Sequence, residues 1–153
     1  MIKTIERIIS TIKEDEVVVA STGMPSRVLH HVKDRPLNFY VMGSMGASLG
    51  IGIGIALNTK RIVNVIAGDG DILMSLGTLV LMKKLKLKNL RLFILDNNCY
   101  ASTGCQSTCS DAVDFISICD CFVYKIPSEK PNIGRIKLSP KEIKERFTNA
   151  LCS

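Results

Sequence analysis

The sequence predicts an α/β fold with three layers: a mostly parallel sheet carrying helices on both faces. Apolar runs such as "RIVNVIA" (61–67) and "LRLFILD" (90–96) are continuous rather than alternating, as in strands buried on both sides. These runs alternate along the chain with segments of helical periodicity. The bulk composition agrees: 153 residues, 46% hydrophobic and 22% charged, without internal repeat or low-complexity segment, read as a single domain over 1–153.

Each element has its own reason. Ile5, Ile8, Ile9 and Ile12 recur at helical spacing, predicting an amphipathic helix over 2–14. "VVVAS" (17–21) is β-branched and short, a strand. "TGMPSRVLHHV" opens a helix, with Pro25 tolerated in its first turn. "NFYVM" (38–42) is extended, and "GSMGASLGIGIGIAL" turns into a helix whose small residues permit close backbone approach. Strand 61–67 leads to a helix over 71–87 that ends in lysines, which complement its dipole. Strand 90–96 follows, then a helix over 112–119 and a strand over 121–126. "SEKPNIG" is a loop. Ser139, Pro140 and Glu142 mark the last helix start as N-cap, first helical residue and capping-box partner.

Composition excludes several classes. The net charge of +6 is concentrated in Lys83–Arg91 and Lys125–Arg146, but aromatic residues make up only 5% and none interleave the first cluster, which argues against nucleic-acid binding. The longest nearly uncharged stretch, 47–57, is too short to span a bilayer. The N-terminus mixes acids and bases unlike a signal peptide, so a cytoplasmic protein is expected. The six cysteines (99, 105, 109, 119, 121, 152) show no CxxC and no nearby histidine. They read as reduced, small and buried rather than as a disulfide framework or metal cluster.

The informative stretch is "GDG" (68–70), at the carboxyl end of a predicted strand and the start of a helix. Ligands of open parallel sheets bind there. Gly68 and Gly70 allow close approach and unusual dihedrals, and the helix N-terminus suits a phosphate. Asp69 would repel that phosphate unless a divalent cation joins them, the usual arrangement for Mg²⁺. A second ligand is then expected on an adjacent strand end. "LDNN" supplies Asp96, Asn97 and Asn98, with 25 residues between Gly70 and Asp96, enough for one crossover helix.

"GDGDILMSLGTLVLMKKLKLKNLRLFILDNN" resembles the signature of thiamine diphosphate enzymes. "STGMPSR", "NFYVMGSMGASLGIGIGIAL" and "LDNNCYASTGCQST" resemble the narrower family of sulfopyruvate and phosphonopyruvate decarboxylases, and the "DN..YxSTG" form is closer to the sulfopyruvate enzymes' β subunits. The resemblance covers roughly residues 15–125. It implies thiamine diphosphate and Mg²⁺ as cofactors. Asp69, the Asn97 side chain and the Cys99 carbonyl would bind the metal. Backbone N–H groups of Gly70 and Asp71 would meet the diphosphate, near Ser21, Thr22 and Tyr100. The Gly43 carbonyl would accept from the aminopyrimidine, and Met45 would support the bent cofactor. Ser44, Gly46 and Gly68 complete the implied cofactor-binding set. Asp71 departs from the family's small polar residue, and is expected to turn outward as a helix-start acid.

The resemblance further implies a 2-oxoacid decarboxylase acting on sulfopyruvate, within coenzyme M biosynthesis. The activating glutamate of the family lies on a pyrimidine-binding domain with no match here, so an α-type partner subunit and a hetero-oligomer are expected, with an interface around 43–57. Relatives usually continue into a strand beyond the last helix, so a missing edge strand, or a partner covering that edge, is a further expectation. Arg27, His30 and His31 follow "STGMPS", and His30 or His31 is a candidate to meet the acidic substrate tail, with most substrate contacts expected from the partner chain. A phosphonopyruvate decarboxylase, the thiamine-binding chain of a 2-oxoacid:ferredoxin oxidoreductase, and a non-catalytic cofactor-binding module are the alternatives.

Overall fold

A computed structural model describes residues 1–153. Its main sheet has five strands, β1 (Val17–Ala20), β2 (Asn38–Tyr40), β3 (Val63–Gly68), β4 (Leu90–Asp96) and the last strand at Phe122–Lys125. A small antiparallel hairpin, β5 (Cys99–Tyr100) and β6 (Gln106–Ser107), intervenes, which makes the last strand β7. The main sheet is wholly parallel, in the order β2-β1-β3-β4-β7. The chain moves from β1 outward to β2 and then crosses back to β3, so the topological switch point lies between the carboxyl ends of β1 and β3.

Alternate strand residues feed two cores. Val17, Val19, Val63, Val65, Ala67, Leu92 and Ile94 face one side, where they pack against α3 (Ser48–Asn58), α4 (Asp69–Met74) and α5 (Gly77–Leu85). Val18, Ala20, Ile66, Phe93 and Leu95 face the other side, covered by α1 (Ile2–Ile9) and α2 (Met24–Val32). The short α6 (Phe115–Ile118) joins the first layer. α7 (Pro140–Cys152) wraps the β2 edge, giving Ile143 to one core and Phe147 to the other. It starts with the expected capping box of Ser139 and Glu142.

Four expectations about elements need correction. The first helix ends at Ile9 rather than 14, because Ser10 and Thr11 turn their hydroxyls onto Arg7 and Ile8 carbonyls. The helix expected over 71–87 begins at Asp69 and is broken in two at Ser75–Leu76. Ser75 donates its hydroxyl to the Gly46 carbonyl at 2.5 Å, and Thr78 closes back on the Ser75 carbonyl at 2.8 Å. The helix expected over 112–119 is a 3-10 turn, Ser110–Ala112, followed by the single turn of α6. Finally, Cys99 and Cys105 form a disulfide across the β5–β6 hairpin, against the expectation that all six cysteines are reduced. Cys119 and Cys121 are buried as expected, whereas Cys109 and Cys152 are exposed.

Candidate active site at the switch point

A cavity of about 260 Å³ opens at the switch point. Ser21 and Thr22 reach it from the end of β1; Gly68, Asp69, Gly70 and Asp71 from the end of β3 and start of α4; Asn97, Cys99 and Tyr100 from beyond β4. Met45, 41% exposed, closes it from the loop before α3. Of the cofactor-binding set the resemblance implies, Gly43, Ser44 and Gly46 stand outside this lining. Gly43 borders a neighbouring cavity and Ser44 an apolar recess near α7.

Parallel pairing places Gly68 beside Leu95, so the residues following each strand emerge side by side. There, one terminal atom of the Asn97 amide lies 2.9 Å from the Cys99 carbonyl oxygen and 3.1 Å from Asp69 Oδ1. Either end of the amide can occupy that position, and with its oxygen inward three oxygens face one point. Rotating the amide would let its nitrogen donate to both. Either a proton donor or a cation must satisfy this convergence, and a carboxylate, an amide oxygen and a carbonyl form the hard-oxygen set that Mg²⁺ takes.

The electrostatics point the same way. Asp69 is 2% exposed, and burial pushes its carboxyl above the ordinary range; the Asp96 charge adds to this, and the Thr108 hydroxyl on Oδ2 opposes it. A buried carboxylate held in that condition is one a cation would relieve. Asp96 itself turns away. Lys125, Ser110 (2.7 Å) and the Asn98 N–H (3.1 Å) surround it, and they outweigh burial to hold its carboxyl below the usual range.

Other residues shape the cradle. Ser21 accepts the Gly68 N–H at 3.2 Å and so fixes the end of β3 to β1. Gly68 offers no side chain to cap α4. Neither Gly68 nor Gly70 has positive φ, so the unusual dihedrals expected there are absent. Gly70 is required for space instead: a Cβ would sit 2.4 Å from the Tyr100 ring. Asp71 reverses its expected orientation. It is buried and turns inward, accepting the Gly46 N–H at 2.8 Å and the Ser48 hydroxyl. Burial raises its carboxyl above the usual range against those two donors. Asp71 thereby ties the Gly43–Gly46 turn to α4, and Gly46, at φ 95°, makes the turn possible.

Sequence reasoning missed Thr108, Ser48 and Ser75, whose hydroxyls hold Asp69, Asp71 and the Gly46 carbonyl. No local pattern signals them, since each acts on a residue more than 20 positions away. No group of three or more histidine, cysteine or acidic residues gathers as a metal cluster. His30 is occupied in packing, edge-on to Tyr40 at 5.4 Å and 3.9 Å from Asp34, and His31 is exposed. No helix is long and apolar enough to cross a membrane.

The profile of thiamine pyrophosphate enzymes, C-terminal TPP binding domain, matches residues 21–128, and the chain belongs to this family. Within it, the sulfopyruvate decarboxylase subunit beta of Methanothermobacter thermautotrophicus is 43% identical over 125 residues, 82% of this chain and 67% of that protein. The subunit of the same name from Methanococcus maripaludis is 37% identical over 166 aligned positions, covering 90% of both chains. The phosphonopyruvate decarboxylase of Streptomyces viridochromogenes is 32% identical over 95% of this chain, which spans 45% of that longer protein.

Proposed function

We propose that this chain is the diphosphate- and metal-binding subunit of a thiamine diphosphate-dependent 2-oxoacid decarboxylase, a carboxy-lyase converting sulfopyruvate to sulfoacetaldehyde and CO₂. The observation that carries this is the convergence of Asp69 Oδ1, the Asn97 amide and the Cys99 carbonyl at neighbouring strand ends, facing the switch-point cavity. Similarity to two subunits named for that activity supports the substrate.

In this reading Asp69, Asn97 and Cys99 hold Mg²⁺, and the uncapped start of α4 at Gly70 and Asp71 receives the diphosphate beside Ser21, Thr22 and Tyr100. When bound, thiamine diphosphate supplies the electron sink for the pair released with CO₂. The chain's own task is to bind, orient and exclude water. Tyr100 roofs Gly70, and Met45 stands at the mouth as a soft apolar wedge. Gly43 and Ser44 border neighbouring cavities, and Gly43 would offer its carbonyl to the aminopyrimidine.

The activating glutamate comes from an α-type partner subunit with a pyrimidine-binding domain. Met42, Met45, Met74 and Leu76 are exposed and apolar, and in this reading the partner covers them together with the interface expected around 43–57. The test is to purify the chain with that partner and measure CO₂ release from sulfopyruvate, phosphonopyruvate and pyruvate. Fastest turnover of sulfopyruvate is expected. Phosphonopyruvate is the second reading, favoured by the 32% identity to the Streptomyces enzyme. Release from none of the three, with cofactor and Mg²⁺ present, would refute the enzymatic reading.

A further inference from the structure

We infer that Arg27 and Arg135 form the subsite for the acidic tail of the substrate, a sulfonate or chemically similar phosphonate group on C3 of a 2-oxoacid. The inference rests on the function proposed above and adds the residues that choose the substrate. The two arginines line a cavity of about 220 Å³ that adjoins the switch-point cavity. Thr22 and Gly23 line both, as a shared wall, and Gly43 borders the second. In a three-carbon 2-oxoacid the tail is attached one carbon from the reacting keto carbon. A tail subsite must therefore adjoin the cofactor cavity, as this one does.

The cavity carries net positive charge. No acidic side chain lines it. Arg35, Arg91 and Arg146 each reach a carboxylate, whereas neither Arg27 nor Arg135 engages one. Arg27 stands in the opening turns of α2, which the buried Ser26 hydroxyl fastens to the Ala20 and Ser21 carbonyls at 2.9 and 2.8 Å. Arg135 is carried by the segment between β7 and α7, and Ile133, Ile136 and Leu138 anchor that segment on the α1–α2 core. A half-buried Arg27 and an exposed Arg135 on one cavity, without a counter-acid, suit the oxygens of a tetrahedral anion.

The test uses the chain assembled with its partner, as wild type, Arg27→Gln, Arg135→Gln and Arg27→Lys. KM for sulfopyruvate is expected to rise roughly tenfold to a hundredfold in each Gln variant. Calorimetric binding of sulfoacetate should weaken by a similar factor, with weak acetate binding unchanged and partial recovery in Arg27→Lys. The gain in melting temperature from thiamine diphosphate should stay at the wild-type value. Unchanged KM and sulfoacetate affinity in both Gln variants would overturn the inference. So would loss of co-purification with the partner, which would assign the arginines to the subunit interface. If the wild type releases CO₂ from no 2-oxoacid, the proposed function fails by itself. Sulfoacetate binding then decides the subsite: its loss in the Gln variants supports the inference, and its persistence or its absence in the wild type refutes it.

Discussion

Asp69 is legible in the sequence because two glycines flank it at a strand end, and the structure gives it a neighbour at 3.1 Å in Asn97. Asp71 was not legible in the same way. Its donors come from Gly46 and Ser48, more than 20 positions upstream, so nothing local distinguished an inward strut from an outward helix-start acid. That difference has a measurable consequence. Asp71→Ala leaves the Gly46 N–H and Ser48 hydroxyl without their acceptor, and a loss of about 1–3 kcal/mol in urea unfolding is expected. A loss within experimental error would show that water replaces the carboxylate. At Gly70 the effect is steric. Gly70→Ala drives a methyl to 2.4 Å from the Tyr100 ring, and weaker cofactor binding is expected as that ring is displaced. Unaltered affinity for thiamine diphosphate would show that Tyr100 moves without consequence.

Among the elements, the buried strands were readable because continuous apolar runs have few other uses in a chain of this size. Helix boundaries were less so. The break at Ser75 depends on a hydroxyl bond to Gly46, a tertiary contact that overrides helical periodicity over 71–87. The β5–β6 hairpin and its disulfide were also invisible, since a two-residue strand carries no period. The glycine-rich run 46–54 reads as a close-approach helix, and Gly52 of α3 shows why. A Cβ there would stand 2.2 Å from Val65 in the buried core, so Gly52→Ala is expected to cost about 1–3 kcal/mol of stability despite alanine's better helix propensity. A neutral or stabilising result would mean that α3 shifts freely on the sheet. α7 is held to β2 by a different device. Arg146 grips Asp34 with bonds of 2.7 and 2.8 Å, and the Tyr40 hydroxyl donates to the same carboxylate at 2.6 Å. Burial works to raise the Asp34 carboxyl, but these partners outweigh it and hold it low. A carboxyl lowered on folding adds stability above its unfolded value, and this is lost as pH falls through the folded one. The stability advantage of the wild type over Asp34→Asn should therefore be level near neutrality and shrink below about pH 4. An advantage that grows on acidification would contradict the pairing.

For the molecule as a whole, the strand order creates the site. The reversal between β1 and β3 leaves a crevice at their carboxyl ends, and the β3–α4–α5–β4 crossover brings Asp69 and Asn97 to its floor. In the proposed function the chain carries the diphosphate end of such a site, and a partner supplies the remainder beside the exposed Met42, Met45 and Met74. Calorimetric titration of thiamine diphosphate into the chain assembled with its partner, with and without Mg²⁺, tests this most directly. Saturable binding is expected only with the metal, and it should be abolished in Asp69→Ala and Asn97→Ala while both variants remain folded. Equal binding in the presence of a chelator, or undiminished binding by Asp69→Ala, would contradict the three-oxygen metal cradle.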